Sequence, residues 1–482
     1  MTFAHRVVSG TVQLALSNGL VRVLSIVTMP ILTGLLDPQT YGIASLVTTA
    51  ISLTSVVALA GIETGYVRSY HSTRPPNGAG AEHLCWRFAT MNALITGALG
   101  AAAWRFFSAD FSIGPRNHLG IFVAAGTVLS VLCTMSQARA LLIGKHGVLA
   151  LTIVASGVIA ALASIGLAVW LRDVVALLLP MLLAYLIPIL LLGGPPIRSL
   201  TKRSSLPWND AAALVKLGLA GVVTAPMFWF LTSSDRWFLL HYQGPDAVGV
   251  YTIGYSVGVV GMMVHTAVLS VWQPEATREF EEDPARAAMS LGRLMSRLIA
   301  AMAIMWLATT AAGGDIVRLL ANERFHAAAG YVPYIAGGVF FYGVLRLATT
   351  GLLLARELKW SALWWLLGGF VSLILNLLLV PAYGGTGAAI TQMIGFAFIA
   401  MGTLATAQAR LHIELETVRL ALIAPVVLAA GIWMSPSWHQ IAAISLLLKL
   451  PVGTTVALAI AAVIAPDWCG KGVNYLRQRV CS

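Results

Sequence analysis

The chain has 482 residues, 58% of them hydrophobic and only 10% charged, with a formal net charge of +11. Roughly a quarter of an ordinary soluble chain is charged, so this composition excludes a water-soluble globule. Long apolar runs recur from end to end, many near the ~20 residues that carry a helix across roughly 30 Å of hydrocarbon. The short alternating segments of a membrane β-barrel are not seen.

The expected fold is an all-α polytopic membrane protein with about fourteen transmembrane helices. The opening stretch MTFAHRVVSG does not read as a cleaved signal peptide, because the apolar run after it carries Asn18 and Arg22 and continues to Leu36. The spans expected in the first half are 12–36, 41–66, 84–107, 117–138, 148–171, 174–193 and 213–234. Only Arg172 and Asp173 divide the fifth from the sixth. The remainder are 246–271, 290–312, 331–355, 360–380, 384–408, 417–434 and 441–465. With the N-terminus in the cytoplasm, roughly two-thirds of the Lys and Arg residues fall on cytoplasmic connections, among them Arg74, Lys145, Lys202 and Arg203. That bias puts both termini in the cytoplasm and accounts for most of the net charge without a nucleic-acid partner. The external loops leave no room for a catalytic domain. Cys85, Cys133, Cys469 and Cys481 are scattered, with no CxxC pair, so neither a metal site nor a disulfide framework is indicated.

Two stretches resemble each other: LTGLLDPQTYGIASL from Leu32 and LLHYQGPDAVGVYTI from Leu239. Pro38 and Gly42 align with Pro245 and Gly249 at one constant offset, and both stretches leave one span, turn outside and enter the next. They are either a coincidence of two similar turns or a parallel repeat about an axis along the membrane normal. The repeat puts its seam in the basic loop 194–212, with lobes at 1–195 and 196–410 and two extra helices in 411–482.

Several segments carry a family resemblance. SNGLVRVLSIVTMPILTGLLDPQTYGIASL resembles the first helical hairpin of the Wzx-type O-antigen and polysaccharide flippases. That family shares a superfamily with multidrug extruders and lipid II flippases. SSDRWFLLHYQGPDAVGVYTIGYSVG, GLLLARELKW and LILNLLLVPAYGGTGAAITQ are similar to later segments of the same family, in order, over about residues 12–408. The resemblance implies two six-helix lobes around a central cavity, and alternating access. It implies a bacterial inner-membrane protein that flips an undecaprenyl-pyrophosphate-linked oligosaccharide for lipopolysaccharide O-antigen or exopolysaccharide export. It also implies membrane lipid as a partner, H+ or Na+ as a coupling ion, and a polysaccharide polymerase and chain-length regulator beside it. No cofactor is expected.

A flippase makes no covalent bond; its difficulty is carrying an anion through a low-dielectric layer, which cavity arginines ease. Arg22 lies about ten residues into the first span, roughly 15 Å deep, and resembles a cavity arginine of lipid II flippases. Asn18, one turn away on the same face, is its companion for sugar or phosphate. Arg346 either faces the cavity or snorkels to the interface. Asp235 and Arg236 are either a surface ion pair of little weight, or an outer-gate contact or protonatable carboxylate. Glu63 is either a proton-coupling carboxylate or half of an inner-gate salt bridge with Arg68 or Arg87. His265 either titrates or is simply packed. Lys449 snorkels or faces a lipid groove. Arg22, Arg346 and Lys449, the deep charges, are all positive. That favours an anionic cargo over the rival reading, a drug or cation antiporter of the same superfamily. A glycan polymerase or ligase would need a long external loop.

Overall fold

The computed structural model describes residues 3–71, 78–110, 118–194, 224–411 and 417–464. The expected seam at 194–212, apart from Gly194, and Cys469 and Cys481 lie outside the described residues. Among the described residues every regular element is a helix, and nine are long and apolar enough to cross a membrane. Large apolar side chains such as Leu151, Leu162, Leu367 and Leu378 are exposed, as lipid-facing residues are. The chain forms two compact units, Met1–Gly249 and Val250–Ser482.

In the first unit α1 (Phe3–Leu35) packs along α6 (His146–Leu171), where Gly157 accommodates Val21. Leu32 and Leu36 pack with Ala168 and Ala176. The chain then turns at Asp37, whose carboxylate accepts the Thr40 N–H at 2.8 Å and caps α2 (Pro38–Leu59). Proline at the first helical position has no N–H to leave unpaired. The expected span 41–66 is interrupted: Ala60 and Gly61 are both left-handed, and α3 (Ile62–Tyr70) starts after them. The break lets Ile62 and Tyr66 join Cys85, Trp86 and Met135 in a core with α4 (Gly78–Asp110) and α5 (Leu119–Leu142). Arg172 adopts a left-handed conformation where α6 ends, and α7 (Val175–Leu192) follows, which puts the division at Arg172 and Asp173.

Residues 224–233 form helix α8, followed by α9 (Asp235–Gln243) and α10 (Pro245–Gly258). Gly244, with φ 82°, turns the chain into Pro245 much as Asp37 turns it into Pro38. The two similar stretches touch each other. A Cβ on Gly42 would overlap the Pro245 carbonyl, and a Cβ on Gly249 would overlap the Pro38 carbonyl. Each glycine backbone nitrogen lies 3.0 Å from the other glycine's would-be Cβ. The contact is reciprocal, as a local two-fold axis requires, and only glycine allows it. Because 224–249 packs here, the compact units divide at Gly249, whereas the sequence suggested 195.

The second unit continues α10 and breaks it at Val259–Val260 before α11 (Gly261–Glu282), so the expected span 246–271 is two helices. Gly254 sits on the Ala328 carbonyl and Gly258 on Ile335, contacts that a larger residue would block. Next come α12 (Pro284–Leu320), a 3-10 helix (Glu323–Gly330) and α13 (Val332–Leu354). Then α14 (Lys359–Arg410) joins two spans through a non-helical Gly384 (φ 54°, ψ −130°), at the expected turn. The last helices, α15 (Thr417–Met434) and α16 (Ala442–Ile464), both pack on α12 and belong to this unit.

Candidate functional site

Membrane helices expose apolar side chains to lipid at no cost, so polar groups off the lipid-facing stripe mark candidate cargo surfaces. On α1, Leu16, Leu20, Val23, Val27 and Ile31 form one exposed apolar stripe. At about 100° per residue, Arg22 lies roughly 130° around the helix from it. Arg22 is half-buried, and the Asn18 side chain one turn back donates to the Leu14 carbonyl at 2.8 Å. Asn18 lines a cavity of about 470 Å³ bounded by α1, α5, α6 and α7.

In the second unit Arg346 is exposed on α13 and lines a cavity of about 540 Å³. Tyr342, one turn before it, shares that wall. Across from them α11 presents Thr266, Gln273 and Thr277, with Leu269 and Pro274 filling between. Arg346 is the one charge among these lining residues. Thr266 and Thr277 donate to their own helix backbone at 2.8 and 2.9 Å, so their oxygens face the space as acceptors. A guanidinium beside hydroxyls and an amide suits an oxyanion with hydroxylated neighbours.

Asp235 and Arg236 are not a surface pair; they are 3% and 5% exposed. Arg236 donates to Asp235 Oδ1 at 3.2 Å, to the Thr232 carbonyl at 2.9 Å and to Ser45 Oγ on α2 at 3.0 Å. One turn further along α2, Trp229 Nε1 donates to the Thr49 carbonyl at 3.0 Å and to Ser52 Oγ at 2.8 Å. Positions 38, 42, 45, 49 and 52 thus form one stripe of α2 against residues 229–249. At the other end, no salt bridge joins Glu63 to Arg68 or Arg87; Glu63 and Arg87 are half-buried and Arg68 is exposed. The ion pair there is Arg139 with Glu82, at 2.7 Å, which the sequence reading missed because α4 begins well before the expected span. His265 is buried, its ring pressed on Gly343 and close to Met302.

Lys449 overturns its expected role. It is 3% exposed and donates to Asp315 Oδ2 at 2.6 Å and to the Ala311 carbonyl at 3.2 Å. Asp315 is fully buried and also accepts from Ser437 at 3.1 Å and Ser445 at 3.0 Å, with Arg318 at 3.7 Å. Lys449 neither snorkels nor faces lipid, because a buried carboxylate neutralises it. Asp315 escaped the sequence reading because α12 runs on to Leu320, so a residue assigned to a loop lies inside a helix. The signal available was one acid and one base in separate apolar runs.

The two lobes' polar cavities and the helical order define the class: a multi-pass membrane protein with the fold of the flippases and multidrug transporters. The lipid II flippase MurJ in its inward closed conformation superposes with a TM-score of 0.66 at 12% identity, covering 95% of this chain and 100% of its own. A variant of the Vibrio cholerae MATE transporter VcmN gives 0.54 at 13%, covering 85% and 99%. An inward-facing multidrug resistance MATE family transporter of the MOP superfamily gives 0.52 at 12%, covering 84% and 96%. At these identities the likeness is one of fold. No curated protein matches by sequence. Residues 7–278 match the polysaccharide biosynthesis protein family, and the chain belongs to that family.

Proposed function

We propose that the protein is a flippase that moves an undecaprenyl-pyrophosphate-linked oligosaccharide from the cytoplasmic to the periplasmic leaflet of a bacterial inner membrane. It works by alternating access, with both termini in the cytoplasm, in surface polysaccharide export. The observation that carries this reading is Arg346 in a polar cavity with no carboxylate among its described lining residues. A fixed guanidinium offsets the desolvation of a phosphate in a low-dielectric layer and pairs with it in two places. Arg22, half-buried and away from the apolar stripe of α1, is the second cation of the path. Glu63, half-buried and in no salt bridge among the described residues, is the carboxylate for a coupling proton, with Na+ the alternative ion.

The MATE-like fold of two solved structures supports a second reading, a cation or drug antiporter, which would want carboxylates where the described linings of these cavities have none. Flipping of a fluorescent polyprenyl-pyrophosphate glycan in proteoliposomes separates the two. Arg346→Ala and Arg22→Ala are expected to slow it by roughly ten- to a hundred-fold, with ~1.4 kcal/mol for each factor of ten. Lysine at either position restores part of the rate. Wild-type rates in both alanine variants, or tight binding of cationic drugs in place of the lipid, would overturn the proposal.

A further inference from the structure

The cavity of the first unit has a different chemistry from the one at Arg346. None of its described lining residues is charged, yet Asn18, Ser130, Thr134, Gln137, Ser156 and Tyr185 converge on it from four membrane helices. Leucine would serve packing as well at any of these positions, and polar side chains at membrane depth usually mark a path or a site.

The hydrogen bonds of these groups decide what can enter. Asn18 donates to the Leu14 carbonyl, Thr134 to the Ser130 carbonyl at 2.9 Å and Ser156 to the Ile153 carbonyl at 2.9 Å. Gln137 donates to Cys133 Sγ at 3.3 Å. The hydroxyl protons of Thr134 and Ser156 and one amide proton from each carboxamide are therefore engaged within the helices, which leaves the second amide proton of Asn18 and Gln137 as donors. What remains is chiefly acceptor: the carboxamide oxygens of Asn18 and Gln137 and the hydroxyl lone pairs. A phosphate, which only accepts at neutral pH, finds few donors and no cation here. A cationic drug finds no carboxylate. A ligand with many hydroxyl donors and no charge fits, and the Tyr185 ring offers an apolar face for its C–H side.

We propose that this cavity is the sugar subsite of the flippase, holding the uncharged, polyhydroxylated part of the cargo; the inference rests on the function proposed above. Its place on α1 supports the assignment. Arg22 is one turn beyond Asn18 on the same face, about 6 Å along the helix, where the phosphate that links sugar to lipid would lie. The volume, about 470 Å³, is within the range of small-ligand pockets, roughly 300–1,000 Å³.

The test compares two probes in detergent micelles: undecaprenyl pyrophosphate, and the same lipid carrying one N-acetylhexosamine. Wild type is expected to bind the glycosylated lipid about ten-fold more tightly, a difference of ~1.4 kcal/mol. Gln137→Leu removes most of that increment and the milder Tyr185→Phe, which takes away the hydroxyl and keeps the ring, removes part of it; both leave the affinity for the bare lipid unchanged. Arg22→Ala weakens both probes alike. If wild type binds the two lipids equally, or if Gln137→Leu and Tyr185→Phe weaken both to the same degree, the sugar subsite is wrong while the flippase reading stands. If wild type binds neither lipid, both fall. Thermal melts of each variant identify any loss that is only misfolding, and Tyr185→Phe then decides.

Discussion

The contact of α2 with residues 229–249 and the contact of α12 with α16 bury polar groups in opposite ways. In the first, backbone meets backbone at Gly42 and Gly249, and the bonds that cross are Arg236 to Ser45 and Trp229 to Thr49 and Ser52. The charge of Arg236 is met by Asp235 on its own side of the joint. In the second, the two charges sit on opposite sides, Asp315 on α12 and Lys449 on α16. Parting the first joint breaks a few hydrogen bonds, each worth about 1 kcal/mol net. Parting the second separates a buried ion pair and leaves Lys449 without its carboxylate in an apolar layer. A transport cycle can open a joint of the first kind; the second fastens the last two helices to their lobe.

The sharpest test removes one partner of the ion pair. Asp315→Ala is expected to destabilise the protein by about 3–5 kcal/mol, because Lys449 stays buried with only the Ala311 carbonyl as partner. Lys449→Ala falls at the low end of that range, because Asp315 keeps Ser437, Ser445 and Arg318. Thermal unfolding in detergent measures it, and exchanging the two residues recovers part of the loss. An alanine variant that melts with the wild type would erase the contrast.

A smaller effect is expected at the glycine contact. Gly42→Val pushes away the Pro245 carbonyl and Gly249→Val that of Pro38, and either should shift the joint toward its open form by about 1–3 kcal/mol. Cysteine at Ser45 then labels faster from outside, while yield and melting change little. Unchanged labelling would mean that the joint is not one that opens.

Least of all is expected from Ser52→Ala, which leaves Trp229 bonded to the Thr49 carbonyl. Its effect should be about 0.5–1 kcal/mol on stability. A loss matching that of Lys449→Ala would remove the distinction between the joints.

Local grammar made much of the fold legible. The division at Arg172 and Asp173 and the turn between the expected spans 360–380 and 384–408, realised at Gly384, were both legible. The repeat of Pro38 and Gly42 at Pro245 and Gly249 was visible as spacing, but the sequence could not reveal that the two copies touch. The break at Ala60–Gly61 was hidden because the apolar pattern runs straight through it. Arg22, Asn18 and Arg346 were legible as polar residues out of place in apolar spans. The polar set around Gln137 and Tyr185 was not, because its members come from different helices and each alone reads as a tolerated hydroxyl or amide.

Composition and apolar run length by themselves determined that this chain lives in a bilayer as a bundle of helices, since hydrocarbon forces every backbone bond to close locally. Which charges are paired inside the helices was decided only by tertiary structure. Lys449 and Arg346 look alike in sequence, and only the packing of α16 on α12 brings Asp315 to one and leaves a polar cavity beside the other. Pairing is a property of distance in space, and a carboxylate far off along the chain can cancel a cation that the sequence alone shows as bare.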